Sequence, residues 1–130
     1  MGEAAGDVAG IPAVVDRDAV VVSRVHTNHA LDPSVSEVTF PTSQDSLRRF
    51  SRTASLAATV EPTIEGVVAI LADHDGVPES ICAHPDPAEG DEGSTILFAM
   101  VAEPARRSLT IAAGHACTGT FETFLLDDLR

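Results

Sequence analysis

Apolar positions along the chain change period several times, and the changes mark out the elements. Two valine-rich runs come first, Ile11 to Val15 and Ala19 to Val25, separated by Asp16-Arg17-Asp18. Short β-branched runs on either side of a polar break predict a hairpin. The second run leads straight into His26-Thr27-Asn28-His29, which places four polar side chains at a strand end. Leu31 to Pro41 reads as a loop. Thr42-Ser43-Gln44-Asp45 then offers hydroxyl caps and an early acid, the chemistry of a helix start. Leu47, Phe50, Ala54 and Ala57 follow at helical spacing, with Arg48, Arg49 and Arg52 mostly on the other side.

A second helix is predicted to begin near Thr63, after Pro62. Ile64, Val67, Val68 and Leu71 form its apolar stripe, and His74-Asp75-Gly76 ends it. His84 to Gly93 is rich in proline, glycine and acids and reads as a surface loop. Ser94 to Ala102 and Ser108 to Ala113 are predicted strands joined by Glu103 to Arg107, and a last strand runs from about Thr120 to Leu126. Strands, two helices and strands again give one α+β domain over residues 1–130 with antiparallel pairing.

Composition narrows the function classes. Eight basic and twenty acidic residues leave a formal charge of −12, a field that repels phosphate backbones. With five Phe and no Trp or Tyr, stacking surfaces for bases are few as well, so neither nucleic acid nor an anionic membrane is the expected partner. No apolar run approaches the ~20 residues of a membrane span. The start of the chain lacks the basic region and apolar core of a signal peptide, and Cys82 and Cys117 do not form a disulfide framework. The expected compartment is the cytoplasm, with both thiols reduced.

Three passages in order carry a family resemblance. They are Val25-His26-Thr27-Asn28-His29-Ala30-Leu31; Ser80-Ile81-Cys82-Ala83-His84-Pro85-Asp86-Pro87, preceded by Asp73-His74-Asp75-Gly76; and Ser94-Thr95-Ile96-Leu97 with its following strand and the close Ala113-Gly114-His115-Ala116-Cys117. Together, over roughly Ala19 to Leu126, they resemble the acyl-coenzyme A:isopenicillin N acyltransferase family of Ntn hydrolases.

The resemblance implies part of an αββα sandwich of antiparallel sheets and helices. It implies an acyltransferase or amide hydrolase in which an N-terminal cysteine, exposed by self-cleavage, attacks an acyl thioester or acyl amide. It also implies that Asn28 donates to the developing oxyanion, with His26, Thr27 and His29 shaping the site. The chain departs from the pattern at two places. No cysteine precedes His26, so the chain is expected to be the C-terminal part of such an enzyme, either from a truncated gene or with the nucleophile on a separate catalytic N-terminal half. Acids stand at Asp91 and Glu92, where family members carry an arginine for a carboxylate. The expected partners are that half or a second copy, together with a small acyl substrate, and the alternative is a non-catalytic binding domain of the same descent.

Other readings of the same residues are plainer. Asn28 also suits a turn, where its side chain bonds neighbouring backbone. Cys82, between Ile81 and Ala83, reads as a small buried thiol. Cys117 and His115 lie two apart and would share a strand face, but no orienting acid accompanies them. His26 and His29, with His84, His115 or a cysteine, match no recognised zinc spacing, so neither a metal nor another cofactor is expected.

Overall fold

The computed structural model describes residues 13–15, 22–32, 44–88 and 95–128. The chain forms two compact units, Met1–Val60 and Glu61–Arg130. The architecture is α+β with antiparallel sheets throughout the described residues.

In the first unit, β1 (Ala13–Val15) pairs antiparallel with β2 (Val22–Arg24), with Val14 opposite Ser23. This is the predicted hairpin, and its turn lies outside the described residues. Helix α1 runs Gln44–Ala57, with Asp45 in its first turn; its predicted caps Thr42 and Ser43 lie outside the described residues. Along the predicted apolar stripe of α1, Phe50, Ala54 and Ala57 are part-buried. Leu47 is exposed, and the buried residue of the helix is Ser46. Groups that lose water must find partners. Ser46 is turned inward because it bonds the 27–29 backbone and side chains.

In the second unit, Thr63 caps α2 (Ile64–Leu71) by accepting from the Gly66 N–H at 3.1 Å. The helix stops at Leu71, three residues short of His74. The reason lies in Asp73, whose carbonyl accepts the Cys82 N–H at 2.9 Å, so the chain is diverted into a loop. Gly76, with φ of 91°, sits in the turn that follows.

The sheet order is β3-β4-β5, from Phe98–Glu103, Ser108–Ala113 and Glu122–Leu125. A short 3₁₀ turn, Pro104–Arg106, joins the first two strands, and Arg107 occupies the left-handed region at φ 52°. Strand β3 starts at Phe98, later than its predicted start at Ser94. Its partner explains the delay: Phe98 faces Ala113, and Gly114 then turns away at φ 75° after donating its N–H to the Leu97 carbonyl at 2.8 Å. Part of the predicted strand, Ser94 included, lies outside the described residues.

One face of this sheet is buried through Ala99, Val101, Thr110 and Ala112. Register places Phe98, Met100, Leu109, Ile111 and Phe124 together on the other face, where Phe98 is 55% and Met100 48% exposed. The buried apolar residues of this unit, among those described, are Cys82, Ala83, Ala99, Val101, Ala112 and Ala116, and none is larger than valine. Among the described residues, no helix is long and apolar enough to cross a membrane.

Candidate functional site

In the first unit, the chain leaving β2 at Arg24 bends at Asn28 and His29 and lays the polar motif against the start of α1. Ser46 is the hub. The Thr27 hydroxyl donates to the Ser46 carbonyl at 3.0 Å, and the Ser46 Oγ lies 3.1 Å from Thr27 Oγ1. The Asn28 backbone N–H donates to Ser46 Oγ at 3.0 Å, and His29 Nδ1 lies 2.8 Å from the same oxygen. His29 is buried, with its ring edge-on to Phe50 at 5.6 Å. These bonds fix the Asn28 backbone while its side chain stays exposed.

Arg49, three residues beyond Ser46 on α1, sends Nη2 to Asn28 Oδ1 at 3.2 Å. With the oxygen engaged, Nδ2 is the end of the amide left to face outward, and among the described residues it has no acceptor. A guanidinium on the amide oxygen also polarises the group and strengthens Nδ2–H as a donor. Of the four motif residues, Thr27, Asn28 and His29 come together here. His26 is exposed and stands outside the network. Ser46 and Arg49, which orient Asn28, were not singled out from sequence; each is an ordinary polar residue on a helix until the fold sets it beside the motif.

The second unit holds another polar cluster. His74 follows α2, Cys82 and His84 lie on the next loop, and Cys117 lies in the turn after β4. One donor atom from each lies within 4.8 Å of the others. The loop is pinned from several sides. The Cys82 N–H reaches the Asp73 carbonyl, the His84 N–H reaches the Pro78 carbonyl at 3.3 Å, and the buried Ser80 hydroxyl donates to the Cys82 carbonyl at 2.8 Å.

His84 is therefore half-buried, whereas the spacing of prolines and acids predicted a surface loop from this residue onward. Burial pushes the Cys82 thiol up, and the neighbouring Cys117 thiol adds to the rise. Burial lowers the His84 imidazole, as does repulsion from His115 and His74. Cys117 meets His84, at 3.4 Å, and His115 instead stacks on the His84 ring at 4.1 Å and lies 3.2 Å from the Thr95 hydroxyl.

The profile of a family described as acyl-coenzyme A:6-aminopenicillanic acid acyl-transferase matches residues 8–116 of the chain. No curated protein matches it.

Proposed function

The chain belongs to the acyl-coenzyme A:6-aminopenicillanic acid acyl-transferase family, and on that premise we propose that it forms the oxyanion-stabilising part of a cysteine-dependent acyltransferase or amide hydrolase. The observation that carries the reading is the fixed Asn28 amide. Its backbone N–H is held by Ser46 and its side-chain oxygen by Arg49, and the exposed side chain leaves Nδ2 open to a ligand.

In the proposed reaction, a cysteine thiolate from the N-terminal half of an Ntn-type enzyme attacks the carbonyl of an acyl thioester or acyl amide. Negative charge gathers on the carbonyl oxygen, and Asn28 Nδ2–H donates to it without any change of protonation state. Collapse of the tetrahedral species expels the thiol or amine and leaves an acyl-enzyme, from which an amine or water takes the acyl group. The apolar β3–β5 face supports the same reading. It is a sheet surface of the kind a two-sheet sandwich covers, and we assign its cover to the nucleophile-bearing half.

The test is to produce this chain together with the polypeptide encoded immediately upstream of it, and to follow acyl release from a thioester and an amide. Asn28→Ala should lower kcat by about 10²–10³-fold with a smaller effect on KM, the usual cost of removing one oxyanion donor. Unchanged kcat in that variant would remove Asn28 from the chemistry. An assembled pair that turns over no acyl substrate would leave the non-catalytic binding domain as the better reading.

A further inference from the structure

We propose that His74, Cys82, His84 and Cys117 form a structural zinc site that holds together the Glu61–Arg130 unit. The argument starts from His84 Nε2. An imidazole nitrogen carries either one hydrogen or one lone pair, so it can complete one hydrogen bond at a time. Three donor atoms nevertheless converge on this nitrogen: His74 Nε2 at 3.1 Å, Cys117 Sγ at 3.4 Å and Cys82 Sγ at 3.8 Å. A hydrogen bond accounts for one of these approaches and leaves two unexplained. A cation at the centre accounts for all of them.

The separations around His84 Nε2 fit one metal geometry. Zinc with Zn–N of about 2.1 Å and Zn–S of about 2.3 Å, arranged tetrahedrally, sets its nitrogens about 3.4 Å apart and each nitrogen about 3.6 Å from each sulfur. The separations around His84 Nε2 agree with those values to a few tenths of an ångström, and the four donor atoms, all within 4.8 Å of one another, need draw in by no more than about 1 Å to reach the ion. Two thiolates and two imidazoles are the softer donor set that suits zinc, whereas magnesium and calcium want oxygen. Four protein ligands close the coordination sphere, so this zinc has no open position for an activated water and is structural.

The unit also has reason to need a staple. Its buried apolar residues are small, with nothing larger than valine among those described. Small domains with thin cores commonly rely on a metal or on disulfides. The four ligands come from three separate places: the chain after α2, the 80–84 loop and the turn after β4. One ion therefore ties the helix, the loop and the sheet of this unit together. His115, stacked flat on the His84 ring at an interplanar angle of 7°, holds that ring in orientation. Thr95, beside His115 Nε2, in turn fixes His115.

The full chain, purified without chelator and without added metal, should carry about one zinc per molecule by elemental analysis. Stripping it with a strong chelator should lower the unfolding midpoint by about 10 °C or more, and zinc should restore it. Because Cys82→Ser or Cys117→Ser variants could misfold, cobalt titration of the stripped wild-type chain gives a second readout. One equivalent should produce the intense visible bands of tetrahedral cobalt and a near-ultraviolet thiolate-to-cobalt transition, both abolished by zinc. Metal-free protein with two freely titrating thiols and no cobalt bands would overturn the site. So would a Cys82–Cys117 disulfide found by mass spectrometry in protein purified without reductant.

Discussion

Ser46 carries a single hydroxyl, and three groups of the 27–29 motif gather on that side chain and its carbonyl. Replacing it with alanine would strip the Asn28 N–H of its partner and leave buried His29 Nδ1 with Thr27 Oγ1 alone, 3.1 Å away. Leaving such groups unsatisfied costs about 1–3 kcal/mol. The Ser46→Ala chain should therefore unfold at lower denaturant. The Arg48–Asp45 pair offers the contrast: it lies 3.5 Å apart on the exposed side of α1, and Arg48→Ala should move the midpoint little. Equal midpoints for the two variants would show that the Ser46 network is not holding the turn. Sequence alone identified Thr27, Asn28 and His29 as a group because they are adjacent. It could not bring in Ser46 or Arg49, which are some twenty residues away and chemically unremarkable.

At the scale of elements, the turn between β4 and β5 is tightly built. A Cβ on Gly119 would lie 2.8 Å from the Ala112 Cβ and 2.9 Å from the His115 carbonyl oxygen, and the Gly119 N–H already bonds that carbonyl at 2.8 Å. Gly119→Ala must push this turn off β4, at a cost of about 1–3 kcal/mol. Because Cys117 rides on the same turn, the variant should also bind cobalt more weakly than the parent does. A variant of parental stability would mean that the turn yields more easily than its contacts indicate.

The sheet beside it offers a different experiment. Met100 and Phe124 share its exposed apolar face. The double variant Met100→Lys, Phe124→Lys should bind less hydrophobic dye and associate less with the proposed nucleophile-bearing half, while its circular dichroism stays unchanged. Undiminished association would place the seam elsewhere. Short apolar runs on either side of the Glu103–Arg107 turn made these strands readable in the sequence. Their ends were less so, since a strand ends where its partner turns away, as β4 does at Gly114.

For the whole molecule, the central expectation is chemical. Its two cysteines stand in the His–Cys cluster, so the chain alone should show no burst with activated esters or with penicillin-like amides. A burst lost in Cys117→Ala or Cys82→Ala would reassign those thiols from zinc to catalysis. The charge of −12 opposes indiscriminate association, so any assembly should form through a specific apolar seam.

The sequence by itself determined the α+β order, the antiparallel strands, the start of the second helix near Thr63 and the grouping of Thr27, Asn28 and His29. Each of these rests on neighbours within a few residues, where periodicity and capping chemistry act directly. Tertiary structure alone decided that Ser46 turns inward, that Arg49 meets Asn28, and that His74, Cys82, His84 and Cys117 converge. Apart from Cys82 and His84, which share a loop, those that meet are 8 to 43 residues apart, and no local preference relates them. They meet because loops must satisfy their buried backbone groups, and the Cys82 N–H does so on the Asp73 carbonyl.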